Sequence, residues 1–311
     1  DQDDVARALE AAQAVAIPHN REIIHVIQRG FVVDGQDGIR MPVGMHGFRL
    51  EMEAHIITAA ATTVENLRQS VQAAGVEATQ FVLNPLASAE VVLSETERQM
   101  GAVVCDIGGG TTDLAIYIDG DVWHTMVIAV GGNHVTSDIA HGLRLPMEQA
   151  EEIKKQYGYA LERAVAADDT FTMRAFGEEQ AEIVSRKDLA HIIEARVEEI
   201  FDLVLQEIKR SGYDGMLPAG MVLTGGMSNL PGIRTLASEV LGLPVRIAKP
   251  DNLVGLVDQL HSPAYSTSVG LLYWALMMSE TMPVAPRGRR PRGGGNVNWD
   301  IIKNFLKRML P

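Results

Sequence analysis

The sequence is poor in several features that define whole classes of protein. Its 311 residues contain one cysteine, Cys105, and only 5% aromatic residues. A single cysteine excludes a disulfide framework and suits a reducing compartment. No apolar run approaches the roughly 18 residues that cross a membrane as a helix. Neither a Walker A sequence nor a GxGxxG sequence occurs, which excludes the P-loop and Rossmann modes of nucleotide binding.

Charge of the two signs is divided unevenly along the chain. The formal net charge of −13 argues against nucleic acid as the main partner. From Pro283 onward there are seven Lys or Arg and one Asp, whereas the preceding residues carry 20 Lys or Arg against 39 Asp or Glu. An acidic body with a basic tail favours a partner that the tail recognises.

Apolar periodicity predicts strands and helices in an order typical of a mixed sheet. Three consecutive strands are predicted in AVVCDI, LAIYIDG and VWHTMVIAV, within residues 102–130. Other strands are predicted in REIIHVIQRGFVVDG, GFRLEMEAHIIT, QFVL, residues 170–176 and MVLTGG. Helices are predicted over 4–17, 63–74, from Pro85, over HVTSDIAHGL, MEQAEEIKKQYG and 187–210, from Asn229, and over STSVGLLYWALMM. Strands that come both consecutively and in alternation with helices indicate a mixed sheet covered by helices.

The segment DIGGGTTD, residues 106–113, has the composition of a phosphate cradle. Backbone N–H groups that converge in a tight turn bind anions, and glycine lets phosphate approach the backbone closely. Asp106, at the end of the strand, can hold a magnesium ion through water beside the phosphates. The turn itself supplies the other candidate phosphate contacts, Gly108, Gly109, Gly110, Thr111 and Thr112. The alternative is an ordinary hairpin turn that happens to be rich in glycine.

Two further glycine turns support the nucleotide interpretation. Gly131, Gly132 and Asn133 lie between a predicted strand and a predicted helix, where a helix N-terminus favours an anion. The segment LTGGMSNLPG, residues 223–232, again follows a predicted buried strand. Each turn alone is weak, because strand-to-helix turns often use glycine. Three of them in one chain indicate a nucleotide site.

The order of these segments resembles the actin superfamily of ATP-binding folds. Within it, HVIQRGFVVDGQDGIRMPVGMHGFRLEMEAHIIT, VTSDIAHGL and SPAYSTSVGLLYWAL are similar to the FtsA family of bacterial cell-division proteins, from Asp4 to Met277 and again at the carboxyl terminus. The resemblance implies an actin-like α/β fold of two domains around a nucleotide cleft, with the 1C subdomain of that family. It also implies ATP and Mg²⁺ as ligands, self-association into filaments, and a peripheral position on the cytoplasmic face of the cell membrane at the division site, where the septum forms.

The resemblance assigns positions in this sequence to the parts of the cleft. Residues 106–113 correspond to the second phosphate loop, NPLASAEVVL to the first connecting helix and STSVGLLYWAL to the second. Gly225, Gly226 and Met227 would lie beside the adenosine. Glu151 and Lys154, spaced i, i+3, would reach the ribose, although a solvated helix face explains the same pair.

Subdomain boundaries follow from the same resemblance. Subdomain 1C is expected over 1–56, a remnant of 1A over 57–100 and 263–281, 2A over 101–165 and 221–262, and 2B over 166–220. The family's first phosphate loop, a DxGT-type turn, has no counterpart here. We therefore expect the sequence to be a fragment that begins within 1C.

Two classes of function remain open at the level of the sequence. Related ATPases place a Gln or Glu at the start of the first connecting helix to orient the attacking water, and Asn84 occupies that place here. Its amide cannot act as a base, so we expect slow turnover and a nucleotide that acts as a conformational ligand. The chain is accordingly expected to be a cytoskeletal adaptor and not primarily an enzyme. The alternative is an actin-superfamily enzyme or chaperone, such as a sugar kinase or a heat-shock-type ATPase.

The resemblance also implies a protein partner, the carboxyl-terminal tail of FtsZ, which subdomain 2B would receive. Arg196 stands at the family's binding-helix position and could pair with an acidic group of that peptide. The equally open alternative is that Arg196 balances Glu199 on a solvated helix face.

The carboxyl-terminal tail has the pattern of a membrane anchor. Residues 282–296 are rich in Pro, Gly and Arg and are predicted to form a flexible linker. Residues 297–311 are predicted to form an amphipathic helix that lies in the interface of an anionic membrane, because about 13 helical residues, roughly 20 Å, are too short to span it. Its candidate membrane-contacting residues are Trp299, Ile302, Phe305, Leu306, Lys307 and Met309. A helix docked on the protein's own body is the alternative.

Overall fold

The computed structural model of the chain describes residues 1–178, 180–251, 253 and 260–281. The chain divides into two compact units, Asp1–Ala275 and Leu276–Pro311. Of the second unit, only the final turns of one helix, residues 276–281, are described. All elements given below belong to the first unit, except that the last helix continues into the second unit after Ala275.

The amino-terminal part is a small antiparallel sheet with two helices. Helix α1 (Gln2–Gln13) is followed by strands β1 (Arg21–Val33), β2 (Gln36–Ile39) and β3 (Leu50–Ala60), and then by helix α2 (Ala61–Ala73). The strands pair in the order β2-β1-β3. The Asp1 carboxylate accepts a hydrogen bond from the Asp4 N–H at 3.0 Å in the first turn of α1.

The central element is a five-stranded sheet in the order β10-β9-β4-β5-β6. Its strands are β4 (Ala102–Ile107), β5 (Thr112–Ile118), β6 (Asp121–Ile128), β9 (Met221–Thr224) and β10 (Val245–Ile247). The first three are antiparallel neighbours, while β9 lies parallel to both β4 and β10. This confirms the three consecutive strands and the mixed sheet that the sequence predicts.

Helices cover both faces of this sheet. Val103 and Cys105 point into a core shared with helices α5 (Gly132–Leu143), α6 (Met147–Tyr157), α7 (Arg186–Ser211) and α8 (Ile233–Leu241). Val104, between them, packs on the opposite face in a core that includes Leu86 and Ala89 of helix α3 (Asn84–Val92). Because both faces are buried, β4 does not alternate, and all of its residues except Asp106 are apolar.

The remaining elements are short, apart from the last helix. Helix α4 (Glu95–Met100) precedes β4, and strands β7 (Thr170–Met173) and β8 (Glu182–Ser185) form a separate antiparallel pair before α7. Ser185 caps α7 by accepting a hydrogen bond from the Lys187 N–H. Helix α9 (Ser266–Thr281) ends the described part of the chain.

Several predicted elements are corrected by the structure. Residues 80–83 are not a strand, and α1 ends at Gln13 instead of continuing to Pro18. Helix α8 begins at Ile233, because residues after Gly225 form a 3₁₀ turn, Gly226–Asn229, and Gly232 adopts a left-handed conformation before the helix. The predicted strand over 170–176 ends at Met173, and β8, α4 and β10 were not predicted.

An ion pair joins α4 to the edge of the central sheet. The guanidinium of Arg246 on β10 contacts both carboxylate oxygens of Glu97, at 2.5 and 2.7 Å, and also donates to the Val92 carbonyl. The Ser94 N–H donates to the same carboxylate. The hydrogen bond from Arg246, together with those from Ser94, holds the pKa of Glu97 at about 2 against an ordinary value of 4.5.

We predict that Glu97→Gln lowers the free energy of unfolding at pH 7 by about 1–2 kcal/mol, because the charge-assisted bonds are lost. A carboxylate with a depressed pKa stabilises the fold above its unfolded pKa, so the difference from wild type should shrink as pH falls from 4.5 towards 2. Urea denaturation at several pH values measures this. Glu95→Gln, at an exposed position of the same helix, is the control with an expected effect within about 0.5 kcal/mol. An equal loss in both variants would contradict the prediction.

Candidate nucleotide site

The turn between β4 and β5 leaves several backbone donors free. Within residues 108–111, the Gly108 N–H donates to the Thr111 carbonyl at 2.9 Å. Among the hydrogen bonds of the described residues, none uses the N–H of Gly109, Gly110 or Thr111. Gly109 and Gly110 are exposed to solvent. Three successive unpaired N–H groups in an exposed turn can bind an anion.

The helix that follows the second glycine turn holds the first turn in place. At the start of α5, the N–H of Gly132 donates to the Gly108 carbonyl at 2.9 Å, and the N–H of Asn133 donates to the Gly109 carbonyl at 2.7 Å. A Cβ on Gly131 would lie 2.8 Å from both carbonyl oxygens, so only glycine allows this approach. These two α5 N–H groups therefore position the turn between β4 and β5 and are not themselves free for an anion.

Two buried carboxylates lie side by side at the base of the turn. Asp106 and Asp113 face each other across the β4–β5 pair and are only 7% and 6% exposed. The Thr267 hydroxyl donates to Asp106 at 2.7 Å, and the Thr111 hydroxyl donates to Asp113 at 2.8 Å. Burial raises the pKa of Asp106; the Thr267 bond opposes the rise and the charge of Asp113 adds to it. Burial likewise raises the pKa of Asp113 against its hydrogen bonds.

Helix α3 contributes two further polar side chains to these carboxylates. Asn84, at its first turn, lies beside Asp113 and acts to lower the pKa of that carboxyl, and Ser88, one turn later, does the same to Asp106. The Ser88 hydroxyl itself donates to the Asn84 carbonyl at 3.0 Å. The helix begins here because Pro85 occupies its first turn, and its residues from Pro85 to Ala89 are buried. Asn84 thus lies beside the carboxylate pair. By the resemblance, related ATPases have at this place the Gln or Glu that orients the attacking water.

The third glycine turn lies against the first. Gly225 has a φ of +87°, and a Cβ there would be 2.4 Å from the Ile107 carbonyl oxygen and 2.5 Å from a carboxylate oxygen of Asp106. Its N–H donates to the Pro263 carbonyl. Only glycine fits this position, both for its conformation and for its space. The turn therefore brings Gly226 and Met227 next to the end of β4.

Glu151 and Lys154 form a pair, as their spacing predicts, but Lys154 is fully engaged within the protein. Its ammonium lies 2.6 Å from Glu151, and it donates to the Gly132 carbonyl at 3.0 Å and to the Thr136 hydroxyl at 2.8 Å. Burial acts to raise the pKa of Glu151, but the bonds from Lys154 and Thr136 outweigh it and lower the pKa. Since all three ammonium hydrogens have partners, Lys154 ties α6 to α5.

These parts enclose a cavity of about 470 Å³. Predicted residues that line it are Gly108, Gly109, Gly132, Asn133, Glu151, Lys154, Gly226 and Met227. Residues that line it without having been assigned to the site are Lys155, Asn229, Leu230, Pro231 and Ala264. The segment LTGGMSNLPG contains three of these, so its pattern could have indicated them, whereas nothing in the sequence singled out Ala264.

The other predicted residues have different positions. Asp106, Gly110, Thr111, Gly131 and Gly225 border the turns but do not line the cavity. Thr112 is fully buried and its hydroxyl donates to the Val130 carbonyl at 2.8 Å, which is a structural role.

Arg196, the predicted partner-binding residue, lies on α7 and bridges to α5. Its guanidinium contacts both carboxylate oxygens of Asp138, at 2.5 and 3.1 Å, and also pairs with Glu199. The pairing with Glu199 agrees with the alternative that the sequence left open. The contact with Asp138 was not predicted, and it connects two helices of the central core.

The predicted linker and amphipathic helix lie outside the described residues, as do the membrane-contacting candidates Trp299, Ile302, Phe305, Leu306, Lys307 and Met309. Within the described part of the chain, no helix combines the length and the apolar character that crossing a membrane requires.

The sheet order and the three converging glycine turns define an actin-like fold. The solved structure of MreB5 of Spiroplasma citri bound to AMPPNP matches 71% of this chain and 66% of its own, with a TM-score of 0.58 at 22% identity. The PilM–PilN type IV pilus biogenesis complex matches 88% of this chain and 72% of its own, with a TM-score of 0.59 at 17% identity. These similarities confirm the predicted fold class.

Closer similarities give the family. The protein-family model for cell division protein FtsA matches residues 103–270, and the family model for the SHS2 domain inserted in FtsA matches residues 1–58. Cell division protein FtsA of Pseudomonas aeruginosa is 43% identical over 286 residues, which are 92% of this chain and 69% of that protein. That of Neisseria meningitidis is 41% identical over 94% of this chain and 72% of its own length. The chain belongs to the FtsA family of cell division proteins, as the resemblance indicated.

Proposed function

We propose that this actin-like cell-division protein binds magnesium-ATP in the cavity between its three glycine turns. The observation that carries the proposal is the row of unpaired N–H groups at Gly109, Gly110 and Thr111, on a turn whose carbonyls are held by α5. Such a row offers a phosphate several donors without rearrangement. The actin-like MreB5 structures, which contain ADP and AMPPNP, support the same type of ligand.

The donor set next to the turn fits Mg²⁺. This ion takes oxygen ligands and keeps several waters, so one or two carboxylates and the phosphates of a nucleotide suffice. Asp106 and Asp113 would hold it, with the Thr267 and Thr111 hydroxyls orienting the two carboxylates. Bound there, the ion would offset the negative charge of the phosphates and of the buried carboxylate pair.

We predict that Asp106→Asn weakens magnesium-ATP binding by about ten- to a hundredfold, because the ion loses its nearest carboxylate. Isothermal titration calorimetry on the full-length protein measures the affinity, and a titration in EDTA serves as the control in which the variant and wild type should differ little. The pKa of Asp106 is raised, so its charge costs stability at neutral pH, and the variant should unfold at no lower temperature than wild type. An unchanged affinity in the presence of Mg²⁺ would refute the assignment.

We further propose that the nucleotide acts as a conformational ligand and that hydrolysis, if it occurs, is slow. Asn84 beside Asp113 has an amide that can orient water but cannot accept its proton. The relatives are named as cell division proteins, which favours an adaptor over the sugar-kinase or chaperone alternative.

In the proposed role, the chain tethers FtsZ filaments to the cytoplasmic membrane at the division site, where the septum forms. The carboxyl-terminal segment would bind the membrane, and the region of 2B around Arg196 would receive the FtsZ tail. An incoming carboxylate would have to compete with Asp138 and Glu199 for that guanidinium. Self-association into filaments and the subdomain boundaries given above (1–56, 57–100 with 263–281, 101–165 with 221–262, and 166–220) belong to the same proposal.

A further inference from the structure

The walls of the cavity differ in chemistry. The turns at Gly108 and Gly132, together with Glu151 and Lys154, contribute backbone and charged groups. Leu230, Pro231, Met227 and Ala264 contribute apolar surface. If the phosphates lie against the free N–H groups of the first turn, the flat apolar base of the nucleotide belongs against the second set of residues. This placement of the base rests on the proposed nucleotide binding.

Among the described residues that line the cavity, Asn229 is the one polar side chain within the apolar wall. It is exposed and ends the 3₁₀ turn Gly226–Asn229. Its side-chain nitrogen donates to the Gly226 carbonyl at 3.2 Å and to the Ser262 hydroxyl at 3.3 Å. The Gly226 carbonyl can only accept, so the atom facing it must be the amide nitrogen and not the amide oxygen.

This arrangement leaves Asn229 with a single type of group to offer a ligand. An amide nitrogen carries two hydrogens, and both are used by Gly226 and Ser262. No described residue donates to its carbonyl oxygen Oδ1. Because the amide cannot rotate without breaking both bonds, Oδ1 is the group of the Asn229 side chain that remains for a ligand.

We propose that Asn229 is a specificity-determining residue that selects a 6-amino purine over a 6-oxo purine. The exocyclic amino group of adenine donates to Oδ1, whereas the 6-oxo group of hypoxanthine or guanine would set one acceptor against another. Two acceptors that face each other without a donor lose more binding free energy than is lost when a hydrogen-bonded pair is replaced by apolar groups. The discrimination therefore arises mainly from rejection of the 6-oxo base.

The test compares ATP with inosine triphosphate, which differ at position 6 and in the protonation of N1 but share the absence of a 2-amino group. Calorimetry with Mg²⁺ on the full-length wild-type protein should give an ATP affinity about tenfold or more above that for inosine triphosphate. Asn229→Leu, of similar size but without the acceptor, should bring the two affinities within about threefold of each other.

Lys155→Met is the matched control in the same cavity. It removes a charge near Glu151 and should change both affinities by a similar factor, leaving their ratio as in wild type. Two results would overturn the role of Asn229 while leaving nucleotide binding intact. One is that the wild-type protein binds ATP and inosine triphosphate equally well. The other is that Asn229→Leu keeps the wild-type ratio of the two affinities. Failure of the wild type to bind either nucleotide would instead overturn the proposed function, and this inference with it.

Discussion

Removing residues 297–311 is expected to release the protein from anionic vesicles. Within this segment Ile301, Ile302, Phe305, Leu306, Met309 and Leu310 recur at helical spacing. Lys303, Asn304, Lys307 and Arg308 fall on the other side of the same helical pattern. Such a helix buries its apolar side in the acyl boundary and keeps its cations near the headgroups. Each linker arginine close to an anionic surface adds about 1 kcal/mol.

Two point variants separate the apolar contribution from the charge. Phe305→Glu and Asn304→Glu change the net charge equally, but only the first places a carboxylate on the apolar side. Burial of a Phe side chain is worth about 1.5–3 kcal/mol, so Phe305→Glu should lower the membrane partition constant measured by flotation at least about tenfold. Asn304→Glu should lower it much less. If the truncated protein still floats with the lipid, the tail is not the anchor.

The same assay tests the tether as a whole. With wild-type protein present, FtsZ should float with the vesicles, whereas with the truncated protein it should stay in solution. The truncated protein should still bind FtsZ in a sedimentation assay, because the proposed binding region around Arg196 is intact. Loss of both activities on truncation would contradict the separation of membrane and FtsZ binding that we propose.

Local chemistry was enough to predict the central strands and the glycine turn between β4 and β5. Five of the six residues from Ala102 to Ile107 are apolar because both faces of β4 are buried, and the turn after this strand contains three consecutive glycines. Both features can be read from the sequence of this segment alone. The strand wrongly predicted over 80–83 shows the limit, since a short apolar run fits a strand and a buried loop equally well.

Long-range contacts account for most of what the sequence did not predict at the site. The spacing of Glu151 and Lys154 predicts their pairing, but the bonds of Lys154 to Gly132 and Thr136 join residues 22 and 18 positions apart. For Arg196, the sequence likewise predicts the pairing with the nearby Glu199. It does not predict the contact with Asp138, which lies 58 positions away. The orientation of the Asn229 amide depends in part on its hydrogen bond to Ser262, which lies 33 positions away.

A stability experiment on α9 should give the other large effect. Gly270 lies where α9 crosses α3, and a Cβ there would be 1.8 Å from the Ala87 carbonyl oxygen and 2.4 Å from its carbon. Both atoms belong to helix backbone, and α3 is held by its buried residues, so neither side can yield by rotating a side chain. Because α3 also carries Asn84 and Ser88, a shift of this helix would disturb the carboxylate pair.

Gly270→Ala is therefore expected to lower the free energy of unfolding by about 3 kcal/mol or more, although alanine favours a helix over glycine by up to about 1 kcal/mol. Gly142→Ala in α5 is the matched control, since its Cβ would meet only the end of the flexible Ile192 side chain, at 2.8 Å. Urea denaturation of both variants gives the difference, in which the shared gain in helix propensity cancels. Equal stabilities of the two variants would mean that α3 and α9 do not approach as closely as the backbone contact at Gly270 indicates.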